Sequence, residues 1–209
     1  MTPGQRRAVA EHWQRWGLEH SDGLLDAEKC FSRKAPLVLE IGFGMGHSLV
    51  EMAADAPQHD FIGVEVHRPG VGTLLQAMAA REIENIRVYR HDAVEVLSDC
   101  IAPGSLACVQ IFFPDPWHKK RHHKRRLIQR PFLDLLASRM APGGTLHLAT
   151  DWENYGQQML QLLTESPDFA NTQADGGFTP RPERRPLTKF ERRGERLGHG
   201  VWDLLFTRH

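Results

Sequence analysis

Hydrophobic positions along this chain alternate between helical and strand-like spacing, and the switches mark out its elements. Thr2-Pro3-Gly4-Gln5 has the form of a capping box with proline at the first helical position. Val9, Trp13 and Trp16 follow at i, i+4 and i+7, so a helix is expected that Gly17 can end. PLVLEIGFGMGHSLVEMA (36–53) reads as a β-branched and leucine strand, a glycine turn and an amphipathic helix stopped at Pro57. DFIGVEVH (60–67) is a second strand, and Pro69 starts a helix with Val71, Leu74, Leu75 and Met78 on one face. IRVYRHD (86–92) is a third strand. LACVQIFF (106–113) is a fourth, which Pro114 and Pro116 end by removing backbone donors. Pro131 opens a helix with Phe132, Leu135, Leu136 and Met140 inward, stopped by Ala141-Pro142-Gly143-Gly144. TLHLATD (145–151) is a fifth strand, and Tyr155, Met159, Leu162 and Leu163 mark the helix after it. Residues 171–200, rich in Gly, Pro and Arg, read as irregular, and VWDLLFTR (201–208) is a closing strand.

Strands alternating with helices predict an α/β fold: a mostly parallel central sheet, helices on both faces, and an antiparallel C-terminal edge from the late cluster of strands. At 209 residues, with no internal repeat and no low-complexity linker, one domain is expected. Within it, residues 1–20 hold an N-terminal helix, 36–151 a core, and 171–209 a segment that completes the sheet. A hydrophobic fraction of 41% and a charged fraction of 25% suit a globular protein. Neither a membrane-length apolar run nor a signal-peptide core is present, since Arg6, Arg7, Glu11 and Arg15 interrupt the N-terminus. Cys30, Cys100 and Cys108 are odd in number and lack CxxC spacing, which fits reduced thiols and a cytoplasmic location.

Net charge is zero, yet charge is not evenly spread. Lys119, Lys120, Arg121, Lys124, Arg125 and Arg126 fall within eight positions with no acid among them, the pattern of a shaped nucleic-acid site on an otherwise balanced molecule. Just before them, Asp115 sits between two prolines at the C-terminal tip of the fourth strand, where open α/β sheets carry their ligand crevice. Trp117 offers a flat face beside it, open either to stacking on a base or to packing.

Gly42-x-Gly44-x-Gly46 follows a strand and opens a helix, so it is a nucleotide-type turn. A dinucleotide would need a third glycine at position 47, which is His47, and its pyrophosphate would be repelled by Glu40. S-adenosylmethionine has no phosphate and carries an ammonium and a sulfonium, which a carboxylate attracts. Glu65 at the second strand tip is placed to accept from ribose hydroxyls. Asp92 at the third can accept from an adenine amino group or cap a helix. Three acids on three successive strand tips favour the methionine-derived cofactor.

With these motifs in view, the chain resembles the bacterial tRNA (guanine-N7)-methyltransferases, within the class I, Rossmann-like methyltransferases. The resemblance rests on LEIGFGMG, GVEVH, HDA, FPDPWHKKRHHKRR, APGG, ATDWENY and RPLTKFERRG, spread over nearly the whole length. PDPWHKKRH together with TKFE is far more specific than any glycine motif. It implies cofactor residues at Glu40, Glu65, Asp92 and Asp115 beside Gly42, Gly44 and Gly46. It also implies substrate residues at Lys119, Asp151, Thr188, Lys189, Phe190 and Glu191, and RNA contacts at Arg121, His122, His123, Lys124, Arg125 and Arg126. The implied reaction is methyl transfer to N7 of a variable-loop guanine in tRNA, with Asp115 catalytic. Members usually carry a short basic stretch ahead of the first helix, whereas here the helix is expected almost at Met1.

Guanine N7 has an in-plane lone pair, so positioning and electrostatics suffice and no general base is needed. Asp115 fits as acceptor for the guanine N1–H and exocyclic amino group, and as counter-charge to the purine as it becomes cationic. His118 and His122 have i, i+4 spacing, but no cysteine or third carboxylate lies nearby in sequence and methyl transfer needs no Lewis acid, so no metal is expected. No obligate protein partner is expected either. Two other readings are an amino-methyltransferase on adenine or cytosine, which also places a polar residue, proline and aromatic after the fourth strand, and a catalytically silent RNA-binding module. The long basic run with TKFE speaks against the first, and the full set of cofactor acids against the second.

Overall fold

The computed structural model describes residues 1–187, 191 and 200–209. Helix α1 (Pro3–Trp16) starts as its sequence dictates. The Thr2 hydroxyl accepts from the Gln5 N–H, and the Gln5 side chain accepts from the Thr2 N–H. There follow β1 (Gly17–Leu18), α2 (Ala27–Phe31), β2 (Leu37–Ile41), α3 (His47–Asp55), β3 (Asp60–Val64), α4 (Arg68–Ala80), β4 (Ile86–Tyr89) and α5 (Ala93–Cys100). Then come β5 (Leu106–Phe112), a 3-10 helix (Lys120–Arg125), α6 (Arg130–Arg139), β6 (Met140–Thr150), α7 (Glu153–Thr164), β7 (Phe169–Asn171) and β8 (Trp202–Arg208).

Among the described residues, eight strands form one sheet in the order β1-β4-β3-β2-β5-β6-β8-β7. All pairs from β1 to β6 are parallel, and β8 runs antiparallel to both β6 and β7. The order reverses between β2 and β5, so a crevice opens above their C-terminal ends. The two cores follow from strand alternation. Leu37, Leu39 and Ile41 face the side covered by α5, α6 and α7, whereas Val38 joins Leu49, Leu74, Leu75 and Met78 of α3 and α4. Glu40 has the parity of Val38, which carries a carboxylate into that second layer.

Several boundaries differ from those the sequence suggested. Strands two and three stop at Val64 and Tyr89, which frees Glu65–His67 and Arg90–Asp92 for loops above the sheet. Helix α5 escapes the apolar pattern because it is short, although Asp92 three positions before Glu95 is a start signal. Ala141-Pro142-Gly143-Gly144 ends α6 as expected but lies inside β6 as a bulge. There the pairing jumps from Leu106–Met140 to Cys108–Thr145, with Gly143 at φ 77° and Pro142 without a donor. No helix among the described residues is long and apolar enough to cross a membrane.

Candidate active site

The glycine turn between β2 and α3 is built from left-handed backbone. Gly42, Gly44 and Gly46 have φ of 73°, 58° and 76°, a region other residues enter only with strain. Their surroundings differ. A Cβ at Gly46 would lie 2.7 Å from Leu74, whereas at Gly42 or Gly44 it would meet nothing within 4 Å. The turn is therefore packed behind at Gly46 and open in front.

Three carboxylates lie in or just past β2, β3 and β4, each held differently. Glu40 is 3% exposed, inside β2 rather than at its lip, and its Oε2 accepts from Gln110 Nε2 on β5 at 2.9 Å. Burial pushes its pKa up from 4.5 to about 7, against the hydrogen bond from Gln110. A carboxyl raised in this way stabilises the fold below its ordinary pKa and loses that contribution as pH climbs through the folded value. Glu40→Gln should thus flatten the decline in stability of the cofactor-free protein between pH 4.5 and about 7, read as the difference in Tm between wild type and variant across that range. Glu65 is half-buried and accepts from the backbone N–H groups of Gly44 (2.9 Å), Val66 (2.8 Å) and His67 (2.9 Å). It fastens the glycine turn to the tip of β3. Asp92 is exposed and caps α5, its Oδ1 accepting from Val94 and Glu95. The capping option is thus realised, with Oδ2 not used by the cap.

Across the crevice, β5 delivers Asp115 to the surface through two non-glycine residues in left-handed backbone, Phe113 (φ 54°) and Trp117 (φ 46°). Such conformations persist only where their surroundings impose them, and they gather at functional sites. Asp115, Pro116, Trp117, His118, Lys119 and His122 line a cavity of about 360 Å³. The three histidines take separate partners. His118 stands edge-on to Trp152, His122 edge-on to Trp117, and His123 Nε2 meets Arg126 at 3.1 Å. Arg125 lies 5.0 Å above the Trp117 ring and covers part of the surface proposed for base stacking. Lys119, Lys120, Arg121, Lys124 and Arg125 are exposed on or beside the 3-10 helix.

Arg126 departs from the expectation of an RNA contact. It is 2% exposed and turns inward, donating to the Pro116 carbonyl (2.8 Å), to Asn154 Oδ1 (2.9 Å) and to Gln158, with the Tyr155 ring beneath it. It clamps the loop carrying Asp115 onto α7. A sequence run cannot show which of six cations turns inward.

Glu191 departs as well. Expected as a substrate residue, it is 3% exposed and pairs at 2.5 Å with Arg185, itself 1% exposed. Arg185 also forks onto Asp203 of β8, Nε to Oδ1 at 2.7 Å and Nη2 to Oδ2 at 2.8 Å, and His147 Nε2 of β6 reaches the same Oδ1 at 2.8 Å. Burial raises the Asp203 carboxyl, but the bonds from His147 and Arg185 outweigh it and hold the group below its ordinary value. Burial holds His147 low, so it remains a neutral donor. The guanidinium of Arg185 lies 5.8 Å from the Phe112 ring and 5.6 Å from that of Phe113. The network thus ties Arg185 and Glu191 to the tip of β5. Thr188, Lys189 and Phe190 lie outside the described residues, and Asp151 is exposed directly after β6.

Comparison with known proteins decides the family. A methyltransferase family model, Methyltransf_4, matches residues 34–204. A tRNA (guanine-N(7)-)-methyltransferase of Pseudoalteromonas atlantica is 58% identical over 208 residues, covering 100% of this chain and 87% of the relative. One from Idiomarina loihiensis is 59% identical over 206 residues, 99% of this chain and 84% of the relative. This chain belongs to the tRNA (guanine-N7)-methyltransferase family. Among solved structures, the 16S rRNA methyltransferase KamB is similar in fold, with a TM-score of 0.61 at 15% identity over 88% of this chain and 94% of that one. TrmN from Thermus thermophilus has a TM-score of 0.59 at 17% identity, over 85% and 45%.

Within this tRNA (guanine-N7)-methyltransferase, the glycine turn, Glu65, Asp92 and Asp115 follow the C-terminal ends of β2, β3, β4 and β5, with Glu65 bonded to Gly44 and Glu40 buried in β2. Sequence reasoning missed Asp203, His147 and Gln110 as parts of the site. For Gln110 and His147 a signal exists: each is a polar side chain with apolar neighbours on both sides in the middle of a strand, and a buried polar group requires a partner.

Proposed function

We propose that the protein transfers the methyl group of S-adenosylmethionine to N7 of a guanine in tRNA, giving 7-methylguanosine, with the variable-loop guanine as the target by family resemblance. One juxtaposition carries the reading. Asp115 follows β5, the neighbour of the strand that ends in the glycine turn, and shares a cavity with Lys119 and with His122 of a basic 3-10 helix that has no acid in it. Membership of the family supports it.

The residues of the crevice fit the cofactor, which when bound supplies the electrophilic methyl group. The open face at Gly42 and Gly44 gives room for close approach. Glu65 would accept from ribose hydroxyls, Asp92 from an adenine amino group, and Glu40 would balance a cation. Glu65→Ala removes charge-assisted hydrogen bonds and the tie to Gly44, so cofactor affinity should fall roughly 10- to 100-fold in calorimetry. Unchanged affinity would rule Glu65 out as the ribose ligand.

For the base, Asp115 would accept from N1–H and the exocyclic amino group, which orients N7 and offsets the positive charge that develops on the purine. No residue need remove a proton before attack. Lys119, Arg121, His122, Lys124 and Arg125 would hold tRNA phosphates, contacts that position without specifying sequence. The free thiols of Cys30, Cys100 and Cys108 and a tRNA substrate fit a cytoplasmic enzyme. Incubation of unmodified tRNA with the enzyme and labelled cofactor, followed by nucleoside analysis, should place the label in 7-methylguanosine. Label in a methylated adenosine or cytidine would overturn the reading.

A further inference from the structure

The larger cavity, about 520 Å³, lies beside the Asp115 site and not in it. Asn154, Gln157, Gln158 and Gln161 line it along one face of α7, which ends at the exposed carboxylate of Glu165, with His123 and Gly176 on its other walls. The amides stand at i, i+3, i+4 and i+7, the spacing that gathers residues into one stripe. The buried stripe of α7 is Tyr155, Met159 and Leu163, and the amides form a separate polar row in which Gln157 and Gln161 are exposed. Asn154 and Gln158 spend their oxygens on Arg126, and Gln161 donates to Glu165 at 2.8 Å, which leaves the Asn154 NH₂, the Gln161 oxygen and the Gln157 amide toward the groove.

The groove and the Asp115 cavity share a wall. His122 lines the Asp115 cavity, and the next residue, His123, lines the groove, so the 3-10 helix between them opens on both. Lys120, Arg121, Lys124 and Arg125 are exposed on this same helix. A polyanion held there with one nucleotide in the Asp115 cavity has the groove on its far side.

We propose that this groove binds a stretch of the tRNA adjoining the target guanine, with the α7 amides contacting ribose hydroxyls and base edges. The proposal rests on the tRNA reading above. An amide carries both donor and acceptor, which suits the 2′-hydroxyl and the base edges that distinguish RNA. A protein partner would ask for aromatic or arginine anchors in an apolar pocket, and among the described residues the large apolar side chain here is the half-buried Leu160.

The test is tRNA affinity across a salt series for Gln157→Ala with Gln161→Ala, beside Arg121→Ala with Lys124→Ala and Arg125→Ala. Alanine is the stronger helix former and both glutamines are exposed, so the pair should keep the fold, which circular dichroism checks. The glutamine variant should bind tRNA roughly three- to tenfold more weakly with its salt slope unchanged, because no charge is lost. The basic variant should flatten the slope by about one unit for each lost phosphate contact. Unchanged affinity in the glutamine variant overturns the groove. If the basic variant also binds normally, the tRNA reading of the whole face fails with it; if only the basic variant weakens, that reading stands and the groove alone is lost.

Discussion

Asp115→Ala is expected to lower kcat for tRNA methylation by about 100- to 1000-fold, the scale for removing a preorganised electrostatic contact to the reacting group. Asp115 is exposed at a strand tip and outside both cores, so Tm should hardly move. Asp115→Asn should be nearly as damaging, since it swaps an acceptor for a donor where the purine presents donors. Single-turnover rates under saturating tRNA and cofactor separate this from weakened binding. Near-normal turnover with either variant would remove Asp115 from the chemistry.

Arg185→Ala should have the largest effect on stability. It strips the fork from Asp203 and the pair from Glu191, leaving two carboxylates in a water-excluded space. Breaking a buried ion pair by removing one partner costs about 3–5 kcal/mol, which for a chain of this size lowers Tm by roughly 6–20 °C. Arg185→Lys keeps the charge but not the planar fork, so it should recover part of the loss. A Tm within 2 °C of wild type for the alanine variant, by calorimetry, would mean that the network contributes little.

How far the sequence carries the reader depends on whether a feature is local. The capping box at Thr2, the proline stops after β5 and the glycine turn are set by neighbours a few residues away, and each was legible. Glu65 and Asp92 were legible as acids past the strand ends because those ends can be counted off the apolar pattern. Their states were not. Glu40 appears at the lip in sequence and lies inside the sheet because Gln110, 70 residues on, supplies a hydrogen bond there. Arg126 is indistinguishable from Arg125 in a list of cations. It turns inward because Asn154 and Gln158 wait on α7. Glu191 looked like part of a recognition motif, and only Arg185 and Asp203 together explain its burial. Charge patterns show that a basic surface exists, whereas the fate of each charge depends on partners far along the chain.

The position of β8 bears on how the enzyme comes into being. Residues 202–208 emerge from the ribosome after every other described element, yet they fill an interior place between β6 and β7. Until they arrive, β6 presents an unpaired edge able to capture foreign strands. Asp203 arrives with them, so neither His147 nor Arg185 has its acid before that point. A nascent chain can shape the glycine turn early, but Arg185 cannot reach its acid on β8 until synthesis has passed Asp203. A chain that ends before residue 202 therefore leaves the β6 edge open and both His147 and Arg185 without the carboxylate that joins them.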